Sequence, residues 1–299
     1  MFNKTRFGVA FALGLSVSAT ALCAEEVKIA FIDPISGPFA STGSNGLHQY
    51  QFAADQVVNE KGGILNGTTF KVDGFDNKAS PQDSLIQLQV AIDQGYKYIA
   101  QGNSSGVAHA LTDAIEKHNK RNPDNRVLFL NYSAVDPALT NDDCNFWHFR
   151  FDANADIKMD VLTDVIAKDE SIKKVYLIGQ DYSFGKAVAA AANSMLKEKR
   201  PDIEIVGDEL HPIGKVKDFT PYARKITASG ADAVITGNWG ADMLGLGKAL
   251  VANGYTGPLF TYYAAGSGIT AAFGEAGKDV IRLVTEGQVN PPPTPEAEA

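Results

Sequence analysis

Short apolar runs alternate with amphipathic stretches from residue 27 to about residue 285. Residues 27–32 are almost continuously apolar, as expected of a strand covered on both faces. Asp33-Pro34-Ile35-Ser36-Gly37-Pro38 breaks that run into a loop. The helix after it carries Leu47, Tyr50, Ala54, Val57 and Val58 on one stripe and stops at Gly62-Gly63. Residues 70–75 form a second predicted strand. Ser80-Pro81-Gln82-Asp83 then opens a helix, with a serine cap and a proline at the first helical position. Leu85, Leu88 and Ile92 mark its core side. A third apolar run at residues 98–100 leads into Gly102-Asn103-Ser104-Ser105-Gly106 and an alanine-rich helix over 107–117. A turn at Asn122-Pro123-Asp124-Asn125 precedes a fourth strand at 127–130.

The pattern changes after Asn131. Tyr132-Ser133-Ala134-Val135-Asp136-Pro137 reads as a post-strand loop, and the aromatic run at 146–151 leads out of the first unit. The alternation then restarts. Predicted strands lie at 175–178, 203–206, 233–236 and 259–262, and helices carry Ile157/Val161/Val165, Val188/Ala191/Met195, Phe219/Ala223/Ile226 and Met243/Leu246/Leu250. Two successive units of about four strands each imply an α/β protein of two doubly wound, parallel-sheet lobes with right-handed crossovers, joined by a hinge near 144–153. The expected division is 1–24 a leader, 25–146 the first lobe, 147–282 the second lobe, and 283–299 the start of a return crossover, truncated, so that the C-terminal part that would complete both lobes is expected to be missing. Apolar surface would then be exposed.

Composition narrows the function classes. Lys4 and Arg6 precede a diluted apolar stretch at 7–22, and Ala24 is a suitable small residue before Glu25-Glu26. This is the pattern of a cleaved secretory signal rather than a membrane anchor. Without it the chain has 25 basic against 35 acidic side chains, a net −10. That excludes a nucleic-acid partner, which needs a basic face. One cysteine remains, Cys144, which cannot form an internal disulfide and is expected to pack in the core or crevice. The histidines show no ligand spacing and no C-x-x-C or H-E-x-x-H occurs, so neither a metal nor a cofactor is expected.

In open α/β sheets ligands bind beyond the carboxyl ends of the strands. The first unit's loops there bring small residues and hydroxyls. The second unit's loops bring Tyr182, Phe184, Trp239, Tyr262 and Tyr263. One polar and one aromatic wall suit a small molecule with a carboxylate at one end and an apolar body at the other. The competing reading starts from Gly102-Asn103-Ser104-Ser105-Gly106, a G-x-S-x-G match to the nucleophile elbow of an esterase with Ser104 as nucleophile. That chemistry needs an acid and a histidine in post-strand order, and none is recognisable. His148 reads as a packed strand histidine.

Lys28-Ile29-Ala30 running into Ser36-Gly37-Pro38, Asn59-Glu60-Lys61-Gly62-Gly63-Ile64, Asn103-Ser104-Ser105, Asp136-Pro137-Ala138-Leu139-Thr140, Asp181-Tyr182-Ser183-Phe184-Gly185 and Gly230-Ala231-Asp232-Ala233-Val234 occur in an order that resembles the type I periplasmic solute-binding proteins of ABC transporters, in particular the branched-chain and hydrophobic amino-acid binders. The resemblance implies a periplasmic monomer, not an enzyme, whose lobes close on a ligand and deliver it to a membrane permease. It implies that Ser104 and Ser105, in a motif begun by Asn103, hold the ligand carboxylate. Ser133 and Ala134 would line the same wall through side chain and backbone, and Thr42 would touch the ligand from the first loop. Phe184, Trp239 and Tyr263 would close from the second lobe, beside Tyr182 and Tyr262. Val135 stands where amino-acid binders often carry threonine, and Tyr262-Tyr263-Ala264 lacks the acid that pairs with an α-ammonium. Asp181 and Asp242 are the remaining candidates for that role.

Overall fold

The structure is a computed structural model and describes residues 25–265, 269–275 and 277–284. Residues 1–24, expected to be a leader, and those from 285 onward, expected to begin a return crossover, lie outside the described residues. The first lobe contains β1 (Glu26–Asp33), α1 (Ala40–Phe52), β2 (Thr69–Asp76), α2 (Pro81–Asp93), β3 (Tyr98–Gln101), α3 (Ser105–Arg121), β4 (Leu128–Asn131) and β5 (His148–Arg150). Its strands are all parallel, in the order β2-β1-β3-β4-β5. After the crossover at 151–154 come α4 (Ala155–Ala167), β6 (Lys174–Gln180), α5 (Ser183–Lys199), β7 (Glu204–His211), α6 (Thr220–Ala228), β8 (Ala233–Thr236), α7 (Gly240–Ala252), β9 (Leu259–Thr261), α8 (Ile269–Phe273), α9 (Gly277–Val280) and β10 (Ile281–Leu283). The second sheet runs β10-β9-β8-β6-β7. Counted from β6, this is the same 2-1-3-4-5 order as the first, so the two lobes repeat one topology.

Each sheet has five strands rather than about four. The aromatic run at 146–151 pairs with β4 as far as Arg150, so the first sheet continues past the expected boundary at residue 146. Residues 281–283 pair with β9 at the other sheet's edge. Edge pairings are not announced by periodicity, because a short edge strand has little buried pattern of its own.

The central strands explain themselves. Ala30, Phe31 and Ile32 are fully buried because both faces of β1 are covered. Ala30, Ile32, Ile99 and Phe129 pack against α2 and α3 through Leu88, Ile92, Leu111 and Ile115. Phe31, Val72 and Ala100 face the α1 side with Ala54, Tyr50 and Tyr132. Ser80 caps α2 by accepting from the Asp83 amide, with Pro81 at the first helical position. The helix begun at α1 does not keep its register. It widens into a π-turn segment over Ala53–Val58, which leaves Val57 about half exposed. Cys144 is exposed in the turn after Thr140, not packed in core or crevice. Phe149 and Phe151, and Ile157, Val161 and Val165 along α4, are also exposed.

The lobes touch. The second lobe's core cluster, built on Met159, Leu162, Val175, Leu177, Val188 and Ile235, takes in Phe39 and Val135 from the first lobe. Arg150 ties down the crossover: its guanidinium donates to the Asp136 carbonyl at 3.0 Å, the Asp152 carbonyl at 3.1 Å and Thr140 Oγ1 at 2.6 Å. Lys158, buried at the start of α4, pairs with Asp152 at 2.9 Å.

Candidate functional site

In a 2-1-3-4-5 sheet the topological switch point lies between the first and third strands, and the crevice opens at their carboxyl ends. Here those strands are β1 and β3 in one lobe and β6 and β8 in the other. The helices that follow them are α1, α3, α5 and α7. Their N-cap residues are Phe39, Ser104, Tyr182 and Trp239. Phe39, Trp239 and Tyr182 form a continuous set across the lobe boundary, and Ser104 lies on the other side of Gly106 from Tyr182. The Phe39 and Trp239 rings lie 4.1 Å apart between centroids. Trp239 Nε1 donates to the Tyr182 hydroxyl at 2.9 Å. A Cβ placed on Gly106 would lie 4.0 Å from Tyr182 and 3.8 Å from Ser104 Oγ.

The first-lobe wall is held from behind. Asp33, fully buried at the end of β1, accepts from the Gly102 amide at 3.1 Å, the Asn103 amide at 3.1 Å and the Tyr132 hydroxyl at 2.6 Å. Burial pushes its carboxyl from 3.8 up to about 7, against the three donors. The Asn103 side chain donates to the Tyr132 hydroxyl, so it belongs to this scaffold. Ser104 sits at φ 81°, ψ 109°, a region rare for a side-chain-bearing residue. Its hydroxyl makes no capping bond to α3. Ser105 Oγ accepts from the Asp136 amide at 3.2 Å. The amides of Ser133 and Ala134 both donate to Asn131 Oδ1, so the backbone expected to face a ligand at Ala134 is bound within the lobe. Thr42 lies in the first turn of α1, its Oγ1 3.7 Å from where a Gly240 Cβ would stand.

The second-lobe wall is partly core. Phe184 and Tyr262 are 2 % exposed and belong to the buried cluster, whereas Tyr182 and Tyr263 are half-buried at its rim. Burial drives the Tyr182 hydroxyl far above its ordinary range, so it stays neutral. Phe39, which the sequence reading passed over, enters a hole in this wall. A Cβ on Gly214 or Gly240 would come within 2.8 or 2.6 Å of its ring, and both glycines have positive φ (66° and 60°). Only glycine at these two turns lets the first lobe's ring sit against the second lobe's backbone.

The two acids considered for an ammonium are engaged elsewhere. Asp242 is buried and accepts from Gln180 Nε2 and the Gly214 amide, both at 2.8 Å. Asp181 is exposed and pairs with Lys186. An α-ammonium at this cleft would have to be met by hydroxyls and carbonyls instead. The histidines are similarly placed. His109 Nε2 faces Asp136 at 2.9 Å and Nδ1 faces Asp143 at 3.4 Å, which together raise its pKa. With a carboxylate at each ring nitrogen it has no free nitrogen to take a proton from Ser104. His148 is buried, bonded through Nε2 to Asn131, and burial lowers its pKa to about 4, the packed strand histidine that was expected. Among the described residues no group of three or more His, Cys, Asp or Glu is placed to hold a metal ion, and no helix is long and apolar enough to cross a membrane.

Residues 26–299 match the family described as periplasmic binding protein. The chain belongs to the periplasmic binding protein family. Membership carries with it the two-lobed type I fold described above and a periplasmic location. This periplasmic binding protein is 38% identical over 246 residues to the Leu/Ile/Val-binding protein homolog 4 of Brucella abortus, a match covering 81% of this chain and 58% of that one. Its fold is similar to that of the leucine-, isoleucine-, valine-, threonine- and alanine-binding protein of Brucella ovis in the closed conformation, with 34% identity, a TM-score of 0.69, and coverage of 85% of this chain and 64% of the other. A solute-binding protein of an R. palustris ABC transporter in complex with 4-hydroxybenzoate shares the fold at 23% identity and a TM-score of 0.67, over 80% of this chain and 62% of that one. The chain thus spans about three-fifths of the length of the relatives it matches.

Proposed function

We propose that this periplasmic binding protein is the substrate-binding component of an ABC importer. It captures a small ligand bearing a carboxylate between its lobes and delivers it to a membrane permease, acting as a monomer. The ligand class is a branched-chain or other hydrophobic amino acid, or an aromatic or aliphatic carboxylate. The observation that carries this reading is the convergence of four helix N-caps, two from each lobe, at facing switch points, three of them in direct contact. Helix N-termini favour an anion through their unpaired amides and dipoles. Ser104 and Ser105 supply hydroxyls on one side, and Tyr182 and the edge of Tyr263 supply apolar surface on the other, backed by Trp239, which is buried under Phe39. The names of the Brucella relatives and the benzoate-type ligand of the R. palustris structure fall within the same ligand class.

A thermal-shift screen tests it directly, because a ligand that binds only the folded state raises the midpoint. Leucine, isoleucine, valine, benzoate, 4-hydroxybenzoate and short aliphatic carboxylates form the panel. At least one is expected to raise the midpoint saturably, with Ser104→Ala and Trp239→Ala each weakening that ligand in calorimetry. No shift across the panel, or unchanged affinity in both variants, refutes the site. Hydrolysis of a p-nitrophenyl ester by the parent and not by Ser104→Ala would reinstate the esterase reading.

A further inference from the structure

We propose that Asp33 is a positioning residue for anion capture: its buried carboxyl holds the Gly102–Ser104 turn in the conformation that presents Ser104 to the ligand. The inference rests on the proposed role of Ser104 and extends it to a group that cannot itself touch ligand. Asp33 is fully buried at the end of β1, and its two oxygens reach the ends of two further strands. Through Gly102 and Asn103 it holds the turn after β3, and through Tyr132 the loop after β4. The Asn103 side chain closes the ring by donating to the Tyr132 hydroxyl at 2.8 Å. One carboxyl therefore fixes the relative position of three strand ends at the switch point.

Ser104 is where this matters. A residue with a side chain at φ 81° persists only where its surroundings over-determine it. The hydroxyl forms no bond to α3 that could do so. Gln101 Nε2 supports the turn from below by donating to the Asn103 carbonyl at 2.5 Å, but it binds carbonyl oxygens. The two main-chain amides before Ser104 are held by Asp33. A neutral amide in place of the carboxyl offers one acceptor oxygen for three donors and turns an NH₂ group toward the others. The turn would then relax toward ordinary backbone angles, and the Ser104 hydroxyl would leave the cleft. The titratable groups that face Asp33 are Tyr132 from the loop after β4 and Tyr50 from α1. Burial raises both, Tyr50 to about 12, so neither competes with Asp33 near neutrality.

The test is a double-mutant cycle on the full chain, with leucine and benzoate as probes. Asp33→Asn and Ser104→Ala are each expected to lower affinity about tenfold, the scale of one lost hydrogen bond to a charged group. If Asp33 acts through Ser104, the double variant is at most about twofold to threefold weaker than the worse single variant. Independent, multiplying losses would overturn the inference, as would an unchanged affinity in Asp33→Asn beside a weakened Ser104→Ala. An unchanged Ser104→Ala, or no binding of either probe by the parent, instead removes the reading of the site and this inference with it. A ligand-free readout runs alongside. In the parent, the amide resonances of Gly102 and Asn103 should shift together with pH as the carboxyl they donate to titrates, and in Asp33→Asn they should stay flat. Parent resonances that do not move overturn the assignment. If Asp33→Asn does not fold, Tyr132→Phe removes one of the three donors and should lower affinity less than Ser104→Ala. Affinity unchanged in Tyr132→Phe would then count against the clamp.

Discussion

Replacing Phe39 by alanine should disable lobe closure without unfolding either lobe. Phe39 belongs to the first lobe by sequence, yet it is 4% exposed and packs in the second lobe's core cluster. Its neighbours there are Trp239, at 4.1 Å between ring centroids, and the backbone of Gly214 and Gly240. An aromatic side chain buries roughly 150–250 Å². If half of that area is covered by the second lobe, then at about 25 cal/mol per Å² the closed arrangement gains ~2–3 kcal/mol from this ring. That gain exists only when the lobes are together, so its loss falls on ligand affinity: a factor of about 30 to 150 at 1.36 kcal/mol per decade. Calorimetry with the best ligand from the screen reads the loss. Emission from Trp239 reports the same event, since only Trp147 and Trp239 contribute. Circular dichroism establishes that the variant is folded. A folded Phe39→Ala that binds within twofold of the parent would refute the reasoning, because the ring would then contribute equally to open and closed forms. Phe39→Leu should fall between the two.

Three further outcomes follow from the same geometry. Gly240→Ala places a methyl 2.6 Å from the Phe39 ring, so it should weaken binding at least tenfold through that clash, while its φ of 60° costs the second lobe roughly 1–2 kcal/mol of left-handed strain and leaves the first lobe's unfolding unchanged. Arg150→Met removes three hydrogen bonds at the crossover and should cost about 2–3 kcal/mol in urea titration; a loss under ~0.5 kcal/mol would show the crossover is held by packing alone. The Asp33 carboxyl is raised from 3.8 in the unfolded chain to about 7 in the fold, so between these values the folded state holds a proton the unfolded state lacks. The contribution of this group should therefore be full below about pH 4, fall as pH rises from 4 through 7, and level off once both states are ionised, a total change of up to roughly 4 kcal/mol. His109, raised by Asp136, adds to the same slope, so the measurement is the difference between parent and Asp33→Asn in urea midpoints at pH 5 and pH 8; equal slopes would refute the assignment.

The fold was legible because its signals are local. Buried runs such as 27–32, the Ser80-Pro81 helix start and the Gly102–Gly106 turn carry their meaning within a few residues, and two rounds of strand–helix alternation leave few topologies. The candidate site was legible at the level of loops: three of the four N-cap residues at the lobe boundary, Ser104, Tyr182 and Trp239, lie in the post-strand loops that the alternation pointed to. What was hidden depends on contacts across the chain. Phe39 looks like any loop aromatic until Gly214 and Gly240, some 175 to 200 residues later, make a hole for it. Phe184 and Tyr262 look like wall residues until the packing shows them in the core. Cys144 was expected in the core or crevice and lies on the surface, because a thiol is compatible with either. Asp33 did leave a trace, an acid ending a strand whose last four residues are buried, since a charge in that position must have dedicated donors.

The two walls differ in how they are held, and this bears on the order of events in capture. The first-lobe wall is internally satisfied: Asp33, Asn103, Tyr132 and Asn131 bond to one another or to their own lobe's loops. None of those bonds requires the second lobe, so the turn carrying Ser104 stays formed when the lobes separate. The aromatic wall is different. Tyr182 and Trp239 bond to each other within the second lobe, but Trp239 is covered by Phe39 from the first. Opening the lobes exposes both rings to water. In the capture proposed above, a ligand carboxylate would meet a preformed polar surface first, and the apolar body would be covered only when Phe39 returns to its hole. Preorganisation on one side lowers the cost of docking, and apolar burial on the other makes closure favourable. On this account polar substitutions in the first lobe weaken docking in either arrangement, whereas truncating Phe39 acts on closure alone and substitutions at Gly214 or Gly240 add backbone strain within the second lobe to the same effect.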